Sequence, residues 1–193
     1  MHARRGFTLV EMMIVVVLIA IVTAFSMPKI DYTQMRLDSA GRSLRGALQQ
    51  AQARAIAQQH NVDVGVDVNR SRLVMIDDYK ADMLQDSVGE HEWAASLNDG
   101  VIFATPSLSL PGGETPIGGV AGATLTSMTY QTALIKAFVF HPDGSVSSDV
   151  QLYIKSQRGL ARDWRAIYIW QATGRTDWYR MSSTGAAWTQ NGF

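Results

Sequence analysis

An apolar run near the N-terminus constrains this chain more than any other feature of its sequence. Residues 12–22 are apolar without interruption, and Arg4 and Arg5 come shortly before them. A helix of about 21 residues, from Phe7 to Met27, spans roughly 30 Å, the thickness of a bilayer core. The positive-inside rule then keeps the N-terminus in the cytoplasm. Four polar residues interrupt this wider stretch: Thr8, Glu11, Thr23 and Ser26.

The apolar run has three possible interpretations, and they differ in how they account for Glu11. A cleaved secretory signal fits poorly, because "TAFSMPKI" offers a poor small-residue cleavage site and the run is long. A plain signal anchor leaves Glu11 unexplained, since an acidic residue at the centre of a membrane helix costs about 2.5–3.5 kcal/mol. The third interpretation is a retained helix in which the carboxylate has a partner.

The stretch "RRGFTLVE" resembles the class III signal of type IV pilins and type II secretion pseudopilins. The resemblance implies that a membrane peptidase removes residues 1–6 as a cytoplasmic leader, cutting between Gly6 and Phe7, and methylates the new amine of Phe7. Residues 7–27 are then kept as the transmembrane and assembly half of an N-terminal helix. The resemblance also implies that Glu11 pairs with an N-terminal amine, and leaves open whether that amine belongs to its own chain or to a neighbour.

Residues 28–60 form the predicted amphipathic half of the helix. The resemblance implies that Pro28 kinks the helix at the membrane edge, because proline removes an amide donor. The alternative is that Pro28 ends the membrane helix and a linker follows. Gly41 and Gly46 weaken the helix slightly. Apolar residues recur at three- and four-residue steps, which predicts one buried face: Leu37, Ala40, Leu44, Ala47, Leu48, Ala51 and Ala55.

Residues 61–193 are predicted to form a periplasmic β-rich domain. "VDVGVDV" alternates from Val62 to Val68, and with "RLVMID" it predicts a β-hairpin with one buried face. "AFVF", "VQLYI", "AIYIW" and "DWYRM" are further strand candidates, while "HPDG" and "TGR" indicate turns. Residues 106–122 predict a long, mobile loop because they are rich in Gly and Pro. The expected class is α+β, pilin-like, with the C-terminal half of a long helix packed on an antiparallel sheet.

Three further stretches resemble the GspH/FimT group of minor pseudopilins and minor pilins: "LRGALQQAQARAIAQQHNVDVGVDV", "FVFHPDGSV" and "AIYIWQATGR". The resemblance implies a non-enzymatic structural subunit at the tip of a type II secretion pseudopilus or type IV pilus, supporting protein export or pilus initiation. Its implied partners are prepilin peptidase, the inner membrane and other pseudopilins or pilins. The chain would be single-pass, with a periplasmic domain, before it enters a periplasmic or surface filament. Two rivals stay open: a DNA-binding minor pilin in DNA uptake, and a membrane-anchored periplasmic domain unrelated to filaments.

Composition and motifs indicate no catalytic, cofactor or metal site. The chain has no cysteine, and its 17 basic residues balance 17 acidic ones. Phosphate-binding, nucleophile-elbow and paired-histidine motifs are missing from the sequence. The stretch from Asp77 to Asp99 holds seven acidic residues, but their spacing does not match a calcium loop. We therefore expect a solvated acidic face there.

The chain becomes basic and aromatic after Gln151, with six basic and two acidic residues. One interpretation is that the arginines meet DNA phosphates while aromatic rings stack on bases. A second is that the aromatic rings alternate into a core and the arginines face solvent. A third is that the arginines contact an acidic region of a neighbouring subunit. The arginines concerned are Arg158, Arg162, Arg165, Arg175 and Arg180.

Overall fold

The computed structural model describes most of the chain and divides it into two compact units. It describes residues 7–26, 31–80, 90–97, 100–111, 115–123, 125–130 and 133–190, except for the side chains of residues 24–26. One unit is Met1–Asp31 and the other is Tyr32–Phe193. The predicted cleavage residue Gly6 and the predicted kink residue Pro28 lie outside the described residues.

The first unit contains helix α1, Leu9–Ser26. Thr8 caps its N-terminus, because the Thr8 hydroxyl accepts a hydrogen bond from the Glu11 amide at 3.2 Å. The Thr8 carbonyl accepts from the Met12 amide, also at 3.2 Å. Over the described residues, none of the helices is long and apolar enough to cross a membrane.

The second unit begins with helix α2, Tyr32–Gln58. The helix ends where Gln59 takes a positive φ of 58°, a left-handed conformation that stops further α-helical bonding. The predicted buried face is confirmed: all seven apolar positions are buried, together with Gly41.

Eleven strands among the described residues form two antiparallel sheets. The first has the order β3-β2-β1-β7-β6, with β1 Asn61–Asp67, β2 Arg72–Asp78, β3 Glu92–Ser96, β6 Thr126–Tyr130 and β7 Ala133–Phe140. The second has the order β11-β10-β9-β8-β4, and β5 also pairs with β8. Its strands are β4 Val101–Phe103, β5 Val120–Gly122, β8 Val150–Ser156, β9 Trp164–Ile169, β10 Thr176–Met181 and β11 Trp188–Gln190.

Helix α2 packs on strands of both sheets, and this confirms the predicted α+β class. Leu44 and Leu48 of α2 share one core with Val64 of the first sheet and with Ile154 and Ile167 of the second. The predicted hairpin is confirmed, since β1 pairs antiparallel with β2 from Asn61–Asp78 to Asp67–Arg72. The sequence pattern did not reveal that the strands divide into two sheets.

The prediction that this hairpin has one buried face is wrong. Both β1 and β2 are buried along six consecutive residues, so both faces are covered. The second face carries its own core, in which Met128, Tyr130 and Ile135 from β6 and β7 pack on Val74 and Ile76 of β2.

A contact between the two edge strands of the first sheet explains how this second core closes. The Tyr130 hydroxyl on β6 donates a hydrogen bond to Glu92 on β3. Strands four positions apart in a flat sheet lie about 19 Å from each other. The sheet must therefore curl strongly to bring Tyr130 and Glu92 together, and residues of β6 and β7 then cover the face opposite α2.

The region predicted as a long loop, residues 106–122, is partly built into the domain. Leu110 is 3% exposed and Ala121 is 2% exposed. The Leu110 amide donates to the Tyr153 hydroxyl at 2.9 Å, and strand β5 ends the loop by pairing with β8. Residues 112–114 lie outside the described residues. The expectation of a loop that is mobile throughout is therefore wrong, because apolar residues within it reach a core.

The prediction of a solvated acidic face from Asp77 to Asp99 is also wrong for its first two residues. Asp77 is fully buried and Asp78 is 2% exposed. Arg54 on α2 places its Nη2 2.5 Å from Asp77 Oδ2, so this carboxylate pairs inside the domain. Residues 81–89, 98 and 99 lie outside the described residues. In the described part of the chain, no group of three or more acidic, histidine or cysteine side chains could hold a metal ion.

Candidate assembly and contact surfaces

Helix α1 presents an exposed apolar surface over its described residues. Every described side chain from Phe7 to Thr23 is exposed. The large apolar ones have exposed fractions between 43% at Val15 and 77% at Phe7. Contiguous apolar surface of this extent marks a site for contact with other molecules or with lipid.

Glu11 is the acidic residue in the first turn of this apolar helix. Its side chain is exposed, and its amide bonds to the Thr8 hydroxyl. A carboxylate in the first helical turn is favourable, because the helix dipole is positive at that end. Phe7, the predicted new N-terminus, precedes this turn by two residues. The described residues therefore place the predicted charge-pair carboxylate in the first turn of an exposed helix.

Arg165, one of the predicted contact residues, is not on the surface. Its side chain is 1% exposed, and its Nε donates to Asp38 Oδ1 on α2 at 2.8 Å. Its Nη2 donates to Gln34 Oε1 at 2.5 Å, and its Nη1 donates to the backbone carbonyls of Arg162 and Trp164, both at 2.9 Å. Burial lowers the pKa of Arg165, and the neighbouring Asp38 carboxylate opposes that shift. The guanidinium therefore fastens β9 to α2.

Arg158 and Arg180 also bind acidic groups of their own chain. Arg158 forms a two-pronged pair with Asp163, with Nε–Oδ2 and Nη2–Oδ1 distances of 2.8 Å. Asp163 is fully buried and accepts a further bond from Gln34 at 2.5 Å. Arg180 donates to the second oxygen of Asp38. Arg162 is exposed. Four of the predicted residues thus gather at the first turns of α2.

Arg175 lies elsewhere, in the turn between β9 and β10. Its side chain is 65% exposed and pairs with Asp177 at 2.8 Å. Its guanidinium also lies 5.8 Å from the centre of the Trp170 ring, and the Trp170 indole donates to Asp177 at 2.7 Å. A cavity of about 430 Å³ lies beside this group, lined by Asp149, Trp170, Gln171, Ala172, Thr173 and Arg175.

The aromatic residues of the C-terminal part divide between the two faces of the second sheet. Trp178 is 3% exposed and lies in the main core against α2. Tyr153 and Tyr168 form a separate core on the opposite face, against which Trp164, Tyr179 and Trp188 pack while partly buried. Burial raises the pKa of Tyr168 to about 12, and the nearby Asp149 carboxylate adds to the shift. Most of these rings therefore serve packing, and Trp170 is exposed at 39%.

Two of the turns predicted from sequence meet at one side chain of α2. Gln52 Nε2 donates to the Gly144 carbonyl at 2.8 Å and to the Thr173 carbonyl at 2.7 Å. Gly144 and Gly174 have positive φ angles of 84° and 61°. A Cβ added at Gly174 would lie 2.3 Å from Gln52 Nε2 and 2.6 Å from the Gly144 carbonyl oxygen. Both turns therefore favour glycine through their positive φ angles, and "TGR" also requires it because Gly174 lies so close to the Gln52 amide.

Sequence reasoning missed Gln34, Asp38 and Gln52, the polar residues of α2 that receive these contacts. Each is one to four residues from a buried apolar position of the helix. A polar side chain beside the apolar face of a helix can reach a neighbouring strand. That position was the signal in the sequence that these three residues could make contacts within the domain. Nothing in the spacing indicated which strands would come near.

The comparisons with known proteins give one motif match and distant structural likenesses. Residues 1–27 match the family profile described as the prokaryotic N-terminal methylation motif. No curated protein sequence matches the chain at a significant level. The minor pseudopilin EpsH from the Type 2 Secretion System of Vibrio cholerae aligns with a TM-score of 0.47 and 15% identity, over 78% of this chain and 98% of that chain.

The type IV minor pilin FimU of Pseudomonas aeruginosa also aligns. Its P21 crystal form gives a TM-score of 0.45 and 15% identity, over 82% of this chain and 94% of that chain. Its P65 crystal form gives a TM-score of 0.41 and 14% identity, over 80% of this chain and 96% of that chain. Likeness at this level does not transfer a function. The chain carries the prokaryotic N-terminal methylation motif over residues 1–27, followed by a domain in which a helix packs on two antiparallel sheets.

Proposed function

We propose that this chain is a non-enzymatic structural subunit, a minor pseudopilin or minor pilin, which assembles into the tip of a type II secretion pseudopilus or a type IV pilus. There it supports protein export or pilus initiation. The observation that carries the proposal is the N-terminal methylation motif over residues 1–27, which includes helix α1, whose described side chains are all exposed. An exposed apolar helix is suited to packing in a bundle of neighbouring helices.

The motif implies processing by a prepilin peptidase and methyltransferase. The enzyme cuts between Gly6 and Phe7, because a residue without a side chain leaves the peptide bond open to attack. It then methylates the Phe7 amine. Residues 1–6 are lost, while the apolar run stays with the chain as the part that assembles.

Glu11 sets how the processed subunit docks. Cleavage creates a positive amine on Phe7, at the end of a helix whose dipole is already positive. Opposite charges attract more strongly in a low-dielectric surround than in water, so the Glu11 carboxylate is the natural partner of such an amine. Stripping both charges of water offsets much of the gain, and the better-attested benefit of a buried pair is a fixed register.

The location follows from the sequence of the first 28 residues. Arg4 and Arg5 precede an apolar run, counted from Phe7 to Met27, that extends beyond the described side chains of α1. We propose a single-pass inner-membrane protein with a cytoplasmic N-terminus and a periplasmic domain, which later enters a periplasmic or surface filament. Pro28 would loosen the backbone at the membrane edge, since it lacks an amide donor.

Substitution of Glu11 tests the assembly role separately from processing. In a cell that makes the matching filament system, Glu11→Ala should still be cleaved but should enter purified tip complexes at least tenfold less than the wild type. Glu11→Asp keeps the charge and serves as the matched control, with an expected entry closer to that of the wild type. Normal entry of Glu11→Ala into the filament would contradict the assigned role.

The DNA-uptake alternative is less well supported by the contacts of the arginines. Arg158, Arg165 and Arg180 bind Asp163 or Asp38, and these contacts take up donors that would meet phosphates. Detergent-solubilised full-length chain mixed with labelled duplex tests this alternative. Salt-dependent retardation of the duplex would favour DNA uptake, and its absence at low salt would remove that role.

A further inference from the structure

The first turns of α2 carry exposed positive charge that the proposed function leaves without a role. Arg36 and Arg42 are both exposed, and neither has an acidic partner among the residues that the structure describes. Side chains of Arg158 and Arg180, 35% and 43% exposed, reach the same region. We call the exposed arginines here, apart from the paired Arg158 and Arg180, the α2 basic surface: Arg36, Arg42 and Arg162.

Two cavities open on the α2 basic surface. One of about 550 Å³ is lined by Tyr32, Met35, Arg36, Asp38, Ser39 and Arg42. Another of about 160 Å³ is lined by Arg36 and Arg158 together with Thr33, Gly100, Val101, Ser156 and Gln157. Arg36 lines both, so groups bound in the two cavities would share one guanidinium.

Positive charge exceeds negative charge in and beneath this surface. Asp38 and Asp163 are committed to Arg165, Arg180 and Arg158. Asp31, which precedes the helix, is counted as well. Six arginines and three aspartates then give a net charge of +3. The arginines are Arg36, Arg42, Arg158, Arg162, Arg165 and Arg180, and the aspartates are Asp31, Asp38 and Asp163. The internal pairs therefore leave a cationic surface.

Exposed apolar side chains lie between the charges. Tyr32 is 66% exposed and Met35 is 60% exposed, and both line the larger cavity with Arg36 and Arg42. A tyrosine beside arginines is typical of residues that sit at the level of lipid headgroups. Arginine binds phosphate through two parallel hydrogen bonds, so it fixes a phosphodiester better than a point charge does.

Little sequence separates this surface from the apolar run. Four residues lie between Met27, the last residue of the run, and Tyr32. The five Cα–Cα steps from Met27 to Tyr32 span at most about 18 Å when fully extended.

We propose that the α2 basic surface binds the phosphodiester headgroups of anionic lipids in the bilayer that holds the apolar run. The inference rests on the membrane anchoring in the proposed function and adds a lipid class to it. Lipid fits better than duplex DNA because the exposed Tyr32 and Met35 side chains line the same cavity as Arg36 and Arg42, and because few residues separate this cavity from the apolar run in the sequence. Each exposed arginine near an anionic surface contributes about fivefold in affinity.

The test uses the full-length chain reconstituted in phosphatidylcholine bilayers with spin-labelled phosphatidylglycerol or spin-labelled phosphatidylcholine. We expect the wild type to prefer phosphatidylglycerol at low salt, and high salt to reduce the preference. Arg36→Ala/Arg42→Ala should lower the relative association constant at least about fivefold. Arg36→Lys/Arg42→Lys should keep most of it. Arg4, Arg5 and Lys29 are present in every variant and so contribute equally.

Arg175→Ala is the matched control for a lost exposed arginine. Arg175 lies at the turn that Gln52 binds, about 24 Å along α2 from Arg36, and its loss should leave the lipid preference unchanged. An unchanged preference in the double alanine variant overturns the inference, as does an equal loss in Arg175→Ala. Binding of duplex DNA through Arg36 and Arg42 without any lipid preference also overturns it. A chain that inserts in neither bilayer contradicts the proposed anchoring itself.

Discussion

Arg165 Nε lies 2.8 Å from Asp38 Oδ1, with the arginine side chain 1% exposed and the aspartate side chain 18% exposed. The pair joins strand β9 to the second turn of α2. Arg180 on β10 binds the other oxygen of the same carboxylate. One aspartate therefore pairs with two arginines from adjacent strands and holds the beginning of the helix on the second sheet.

Loss of Asp38 should destabilise the domain strongly. Asp38→Ala leaves Arg165 buried without its hydrogen-bonded carboxylate. Breaking a buried pair typically costs 3–5 kcal/mol, so we expect a loss of about 3 kcal/mol in the free energy of unfolding. Urea unfolding followed by tryptophan fluorescence measures it. Asp177→Ala is the control, because its arginine partner is largely exposed and the expected loss is about 1 kcal/mol. A loss at Asp38 no larger than at Asp177 would contradict this assignment.

Gln52 should contribute stability through its amide alone. Gln52→Ala removes two hydrogen bonds and leaves the carbonyls of Gly144 and Thr173 without this donor, for an expected cost of about 1–3 kcal/mol. Gln49 is exposed on the same helix, so Gln49→Ala should change the unfolding free energy by less than about 0.5 kcal/mol. Equal effects of the two substitutions would show that the two hydrogen bonds of Gln52 contribute nothing measurable.

Two glycines of α2 should respond to alanine in opposite directions. A Cβ at Gly41 would lie 1.6 Å from Trp178 Cη2, whereas one at Gly46 would meet nothing within 4 Å. Gly46→Ala should therefore stabilise the helix by up to about 1 kcal/mol, since alanine is the better helix former. Gly41→Ala should destabilise the domain by about 1–3 kcal/mol through overpacking. Thermal unfolding shifts of the same sign for both variants would refute the predicted packing.

Alkaline pH should weaken the fold through Tyr168. Its pKa is raised to about 12 in the folded chain, first by burial and then by Asp149, against about 10 in an unfolded chain. A raised folded pKa means that the stabilising contribution is complete below about pH 10 and is lost as pH rises from about 10 to about 12. Unfolding midpoints should fall over this range, and less steeply in Tyr168→Phe. Tyr79→Phe, which removes an exposed hydroxyl, should match the wild type; an unchanged slope in Tyr168→Phe would contradict the account.

Local periodicity predicted the elements of this fold better than their arrangement. The three- and four-residue spacing from Leu37 to Ala55 identified the buried face of α2, because it depends only on helix geometry. The alternation in β1 correctly identified a strand but wrongly predicted that only one of its faces is buried. A Cβ added at Gly65 of β1 would lie 2.5 Å from Met128 Cε and from Ile135 Cδ1. The second face is therefore covered by residues more than fifty positions away, and strand periodicity carries no information about such distant contacts.

The candidate surfaces were predictable to different degrees. The motif around Gly6, Phe7 and Glu11 is contiguous, so sequence alone sufficed to identify it. The arginines of the C-terminal part looked like a surface set, yet Arg165 is buried because β9 alternates and Asp38 lies opposite it. Its position became visible only when the strand and the helix were brought together in space.

Processing of the N-terminus tests the central claim most directly. The full-length chain should be produced with and without an active prepilin peptidase, and its intact mass measured. We expect the peptidase to remove residues 1–6 and to leave one methyl group on Phe7. Gly6→Val should block the cut, because a branched side chain shields the peptide bond. A wild-type chain that keeps all 193 residues in the presence of the active enzyme would contradict the account.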